Sequence, residues 1–209
     1  MHHIEEEQPD PWWKGPIKFI ISLFLLLIIV MWVFSYYGVR LDPEPKTIPT
    51  IEEVVPAGIV VNTSSVSTSV DSSLINPNDP TIKYVADRIA AISCDGSKVC
   101  QVKAIYYFVR DNFDYVSDPN AFEYVKSAKQ SLVSGGGDCD DSAVLISSLL
   151  ESIGVKTKFV FIPRHVYIQA YLPDAVKRYK VENDWVNLDA TCKNCKFGEI
   201  PLQNVKKNP

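Results

Sequence analysis

The sequence predicts an α+β domain preceded by a single membrane-crossing helix. Three observations carry this. Phe19 to Val39 is a run of 21 residues without a charged side chain. Apolar residues then recur at helical spacing between about residues 80 and 153, and strand-like runs follow between about 156 and 188. Helices first and consecutive strands afterwards place an antiparallel sheet against the last of those helices. The chain has 209 residues, enough for one core-forming domain plus an attachment. Its net charge is -4 and no Lys/Arg-rich patch is visible, so nucleic-acid binding is set aside.

A short tail, 1–18, leads into the apolar run at 19–39, which has about the length a helix needs to cross a bilayer. Trp12, Trp13, Trp32, Tyr36 and Tyr37 sit near its ends, as interfacial aromatics do. A cleaved signal peptide has a shorter apolar core and a small-residue cleavage site, whereas Tyr36, Tyr37 and Arg40 crowd this exit. A buried core helix is the other alternative, but the run is apolar all round and isolated near the N-terminus. The expectation is an uncleaved single-pass anchor. Lys14 and Lys18 before the span balance Arg40 and Lys46 after it, so loop charge does not set the orientation. The cysteines do: Cys94 with Cys100 and Cys192 with Cys195 form two close pairs beside a fifth, Cys139. An even set suits disulfides in an extracytoplasmic domain.

Residues 40–79 read as a Ser/Thr/Pro-rich stalk, punctuated by Pro43, Pro45, Pro49, Pro56 and Pro77. Ile59, Val60 and Val61 are an alternative edge strand, and Asn62-Thr63-Ser64 is a glycosylation sequon of a kind common by chance. The domain is expected over 80–209. Asn78-Asp79-Pro80 marks a helix start, followed by Ile82, Val85, Ile89 and Ile92 at helical spacing. A second helix is predicted from about 98 to 112 and a short one over 121–130. A third long helix runs from 139 to 153 and stops at Gly154. Strands are predicted at 156–162, 165–172, 179–182 and 185–188.

The densest chemical signal is Gly135-Gly136-Gly137-Asp138-Cys139-Asp140-Asp141. Cys139 opens a helix, where unsatisfied N–H groups and the dipole favour thiolate, and the glycines allow a substrate to approach the backbone. His165 is the only histidine outside the N-terminal tail, and Asp189 follows the Trp185–Leu188 run. Cysteine, histidine and aspartate are a nucleophile, a base and an orienter. Taken singly, the bland readings are a buried thiol, a loop histidine and a strand-end cap; three motifs in one order weigh against them. Asp138, Asp140 and Asp141 invite a metal reading, but acidic residues at a helix start are more often dipole-compensating caps and no EF-hand spacing accompanies them. Neither a metal nor an organic cofactor is expected. Cys192-Lys193-Asn194-Cys195 has CxxC spacing in loop-like sequence. For the four paired cysteines, disulfides rank first, zinc second and free thiols third, with local and crossed pairing both open.

Gly137-Asp138-Cys139, His165-Val166-Tyr167 and Trp185-Val186-Asn187-Leu188-Asp189 together resemble the transglutaminase-like superfamily of papain-like cysteine enzymes. The resemblance covers about residues 81–200 and is strongest from 132 to 192. Tyr167 stands where many relatives have Trp. The resemblance implies a papain-like core, catalytic Cys139, His165 and Asp189, and thiol-mediated acyl transfer or hydrolysis at amide bonds of a protein or peptide. A second oxyanion donor comes from upstream in the family, and Gln130 is a candidate by position alone. Calcium activation, shown by some large transglutaminases, does not carry over. The alternative from a different class is a non-catalytic binding or scaffolding module at the membrane; a zinc-stabilised cytoplasmic domain is a third. Substrate, acyl acceptor and oligomeric state are not legible.

Overall fold

The computed structural model describes residues 11, 13–61, 67–118 and 124–201, with backbone alone at 38–40. The sequon at 62–64 and the first part of the helix expected at 121–130 lie outside the described residues. The chain divides into two compact units, Met1–Leu41 and Asp42–Pro209.

The first unit is one helix, α1 (Lys14–Leu41). Its segment Lys14–Tyr37 has a mean hydropathy of 2.8 and is long and apolar enough to cross a membrane. Its described large apolar side chains are exposed all round.

The second unit begins with α2 (Ile51–Val54), α3 (Pro80–Ser93) and α4 (Lys98–Asn112). Asp79 caps α3 by accepting the Thr81 and Ile82 N–H groups, and Pro80 fills the first turn. Ser97 caps α4. A two-residue strand β1 (Asp114–Tyr115) pairs in parallel with β2 (Gly136–Gly137), and α5 (Ala128–Ser134) lies between them in sequence. Gly135 ends α5 in the left-handed region, φ 66°, which glycine adopts without a Cβ penalty. Next come α6 (Cys139–Ser152) and strands β3 (Thr157–Ile162), β4 (His165–Tyr171), β5 (Lys180–Glu182) and β6 (Trp185–Leu188). The sheet is antiparallel in the order β3-β4-β6-β5.

Helix α6 is the centre of the core. It packs on α3, α4 and α5 on one side and on β4 and β3 on the other. Val144, Leu145, Leu149 and Leu150 are buried among Val85, Ile89, Ile105 and Phe108 from the helices and Ile168, Ala170 and Val186 from the sheet. This is the helix-on-sheet arrangement expected from the order of the elements.

The segment expected as a stalk contributes to the same core. Val54 is buried, and Ile48, Ile51, Val70 and Leu74 pack against the core cluster. The Asn112 amide donates to the Pro49 carbonyl at 3.2 Å, and the Asn76 N–H donates to Ser148 Oγ at 3.2 Å. Asp42 and Glu44 close on Lys103, whose ammonium donates to them at 2.5 and 2.6 Å. Ile59–Val61 form no strand. Residues 124–127 are not helical either: Ser127 and Gln130 make a capping box that starts α5 at Ala128.

Candidate active site

The sheet and α6 bring the three sequence motifs to one place. Cys139 is the first residue of α6, directly after β2. His165 opens β4 opposite Ile162, and Asp189 follows β6, the neighbouring strand. His165 Nε2 and Asp189 Oδ2 lie 2.8 Å apart. With Nε2 engaged, Nδ1 is the ring nitrogen left for a second partner. The backbone N–H of Val166, the residue next to His165, favours the charged form of the Cys139 sulfur. Cys139, Val166, Tyr167 and Asp189 line one narrow cleft, with Ser142 and Thr191 on its walls. Tyr167 stacks beside the imidazole, ring centroids 6.3 Å apart.

The helix start is over-determined. Asp138 Oδ1 accepts the N–H groups of Asp140 and Asp141, and the Asp141 carboxylate accepts the Asp138 N–H. Asp141 is almost fully buried and also takes the Lys126 N–H at 2.6 Å and its ammonium at 2.5 Å. One carboxylate thus ties the turn before Cys139 to the segment before α5. Gly137 is required by this packing, because a Cβ there would lie 2.5 Å from Asp141 Cβ.

Electrostatics depart from the sequence expectation. The thiol is pushed up to about 12, first by burial, then by the nearby Asp140 and Asp138 carboxylates, against the lowering effect of the Val166 N–H. The Cys139 S–H donates to Asp140 Oδ1 at 3.4 Å, which further favours the neutral form. Burial and two flanking anions outweigh the helix terminus and favour the neutral thiol. Asp138 is itself held up to about 6 by burial and by Asp141, Asp140 and Asp118.

Ligating atoms of Asp138, Cys139 and Asp140 lie within 4.8 Å of one another. Asp138 is committed as a helix cap and Asp140 to the thiol, which is what acidic residues at a helix start ordinarily do. Gln130 is committed too. Its Oε1 accepts the Ser127 N–H at 2.7 Å and its Nε2 donates to Tyr124 Oη at 2.7 Å, contacts that hold the start of α5. The paired cysteines form local disulfides, Cys94–Cys100 and Cys192–Cys195, with Cα–Cα distances of 5.9 and 5.3 Å, and Cys139 is free. Thr191 was not singled out from sequence. Its hydroxyl and N–H both reach Asp189 Oδ1, and the Asp-x-Thr spacing after a strand was the available signal.

A free cysteine at a helix start, set against a histidine–aspartate pair on an antiparallel sheet, defines the class as a papain-like α+β fold. The sequence profile of the transglutaminase-like superfamily matches residues 84–190, just over half of the chain, and the chain belongs to that superfamily. No curated protein is significantly similar to it. Among solved structures it is similar to a proposed protease of Parabacteroides distasonis, at 16% identity over 53% of this chain and 23% of that one, TM-score 0.42. Calcium-bound LapG of Legionella pneumophila shares 20% identity over 57% of this chain and 69% of its own, TM-score 0.42. A proposed cysteine protease of Cytophaga hutchinsonii shares 19% over 59% and 43%, TM-score 0.41. The chain therefore spans less than a quarter of the first of these and less than half of the last.

Proposed function

We propose that the protein is a membrane-anchored, thiol-dependent enzyme that cleaves or transfers the acyl group of an amide in a protein or peptide. The observation that carries this reading is the 2.8 Å His165–Asp189 pair beside the one free thiol among the described cysteines. His165 takes the Cys139 proton, and the sulfur attacks the amide carbonyl. The oxyanion is met by N–H groups at the start of α6, that of Cys139 included. The imidazolium protonates the departing amine and leaves a thioester. Water, activated by His165, releases the acid; an amine in its place gives transfer. Water is the simpler acceptor. Asp189 holds the imidazole in one tautomer and orientation. The apolar α1 is the anchor, and the two disulfides support an extracytoplasmic domain.

The test is labelling of the full chain in detergent with an iodoacetamide probe at pH 7, with the modified residue mapped. Cys139 should be labelled, and His165→Ala should slow it. A Cys139 that is inert, or indifferent to His165, overturns the reading. That outcome favours the alternative of a non-catalytic module, which the raised thiol pKa supports.

A further inference from the structure

We propose that Thr191 is a positioning residue: it locks the Asp189 carboxylate in the rotamer that presents Oδ2 to His165. The inference deepens the thiol-enzyme reading above and rests on it. Asp189 is buried, with only 2% of its surface exposed. Its two oxygens have divided tasks. Oδ2 faces His165 Nε2 at 2.8 Å, while Oδ1 accepts the Thr191 hydroxyl at 2.6 Å and the Thr191 N–H at 3.1 Å. A carboxylate with one partner rotates about its terminal torsion, which is broad and two-fold. Two donors on Oδ1 fix that plane and with it the direction of the second oxygen.

Thr191 is itself held from behind. The Cys192 N–H donates to the Asp189 carbonyl at 3.3 Å, closing the turn that contains Thr191. The loop that follows is short and closed by the Cys192–Cys195 disulfide. It is pinned to α4 at both ends: the Lys193 ammonium donates to the Arg110 and Phe113 carbonyls, and Cys195 O accepts from Tyr106 Oη at 3.1 Å and from Arg110 at 2.7 Å. The orienter is thus referenced to the helical layer as well as to the sheet. A bare strand end after Leu188 supplies no such constraint.

The experiment uses the full chain in detergent and two readouts: the iodoacetamide alkylation rate of Cys139 between pH 5 and 9, and turnover of a casein-derived peptide pool. Thr191→Val keeps the shape and loses the hydroxyl. It should slow Cys139 alkylation at pH 7 about tenfold and lower kcat by about ten- to hundredfold with KM little changed, the scale of an ångström-level misplacement. Thr191→Ser, which restores the donor, should recover most of both. His165→Ala in parallel separates the two ideas. If His165→Ala slows alkylation and Thr191→Val does not, the positioning role is wrong and the thiol-enzyme reading stands. If Thr191→Ser fails as badly as Thr191→Val, the hydroxyl is not the cause and the role is again overturned. If His165→Ala has no effect, both fall. Should Thr191→Val lower the melting temperature sharply, Thr191→Ala at a temperature below its transition decides by the same criteria.

Discussion

His165 Nε2 and Asp189 Oδ2 lie 2.8 Å apart although 24 residues separate them, and the carboxylate is buried while the imidazole is partly exposed. The strand pair β4 and β6 produces this. Their register sets Ile168 opposite Leu188, so His165 and Asp189 emerge at the same end of the sheet. A histidine held this way has Nε2 committed and leaves Nδ1 for the thiol in the proposed mechanism. Cys139→Ala and His165→Ala should each abolish amide turnover and leave the melting temperature within a few degrees of the parent. Asp189→Asn should lose as much as His165→Ala or less, because an amide can offer the ring an N–H in place of an oxygen and trap the wrong tautomer. Turnover retained by pure Cys139→Ala protein would falsify the mechanism.

The thiol's environment gives a second expectation. Asp140 accepts the Cys139 S–H and adds a like charge beside the sulfur, and both effects hold the thiol up. Asp140→Asn removes the charge. The alkylation profile of Cys139 should move to lower pH, and since a thiol well below its pKa gains about tenfold in thiolate per unit of lowering, the rate at pH 7 should rise severalfold. An unchanged profile in a folded Asp140→Asn protein excludes Asp140 as a determinant of thiol reactivity.

Asp138 links the same cluster to stability. Its folded pKa, about 6, lies above the ordinary 3.8, so the folded state binds its proton more tightly than the unfolded state does. The favourable contribution of that proton is present below 3.8 and is lost as pH rises through about 6. Asp138→Asn keeps an oxygen for the Asp140 and Asp141 N–H groups and removes the titration. The variant should melt higher than the parent at pH 7, and the advantage should shrink by pH 4. Melting curves at the two pH values decide; an equal difference at both shows that Asp138 does not titrate in this window.

How much of this was legible in sequence differs from element to element. The apolar period of Val102, Ile105, Tyr106 and Val109 predicts helix α4 at 98–112, and the strand-like run from Trp185 predicts β6 at 185–188, because in both the pattern is local. The helical start of Cys139 was legible for the same reason. The core role of residues 48–55 was not, because Val54 and Ile51 lie in Pro-punctuated sequence without sustained period, and tertiary contact alone buries the first and packs the second against the core. Gln130 was a candidate by position upstream of Cys139 alone, while Ser127 three residues before it carried the capping-box signal that the structure shows. The direction of the thiol shift was missed because the sequence lists Asp138 and Asp140 but does not report how deeply the sulfur is buried.

Gly137 is a steric test of the site's construction. A methyl group there meets the buried Asp141 carboxylate, which cannot retreat without releasing Lys126 and the Asp138 N–H. Gly137→Ala should destabilise the domain by about 1–3 kcal/mol, the range for overpacking a close-packed site. It should also lower Cys139 labelling, since the turn that delivers Cys139 moves. Chemical denaturation measures the first and probe labelling the second. A variant as stable and as reactive as the parent contradicts the packing described here.

Lys103 joins the start of the second unit to its core. Its ammonium is fully buried and contacts Asp42, Glu44 and the face of Tyr179 at 5.0 Å. Burial alone pulls the lysine down, but the hydrogen bonds to Asp42 and Glu44 outweigh it and hold it above its ordinary 10.5. Burial raises Asp42 in turn, and its bonds to Lys103 and Tyr179 bring it below 3.8. The lysine's contribution is therefore present below 10.5 and lost only above it, and the aspartate's is present above 3.8 and lost as pH falls further. A double-mutant cycle of Lys103→Met and Asp42→Asn should give a coupling of about 1–2 kcal/mol, constant from pH 5 to 9 and vanishing in acid. In Lys103→Met the Arg178 guanidinium and the Tyr179 hydroxyl still contact Asp42, so the carboxylate keeps partners and the double variant should be no more stable than Lys103→Met alone. A coupling indistinguishable from zero at pH 7 means that the clamp does not hold residues 42–44 to the domain.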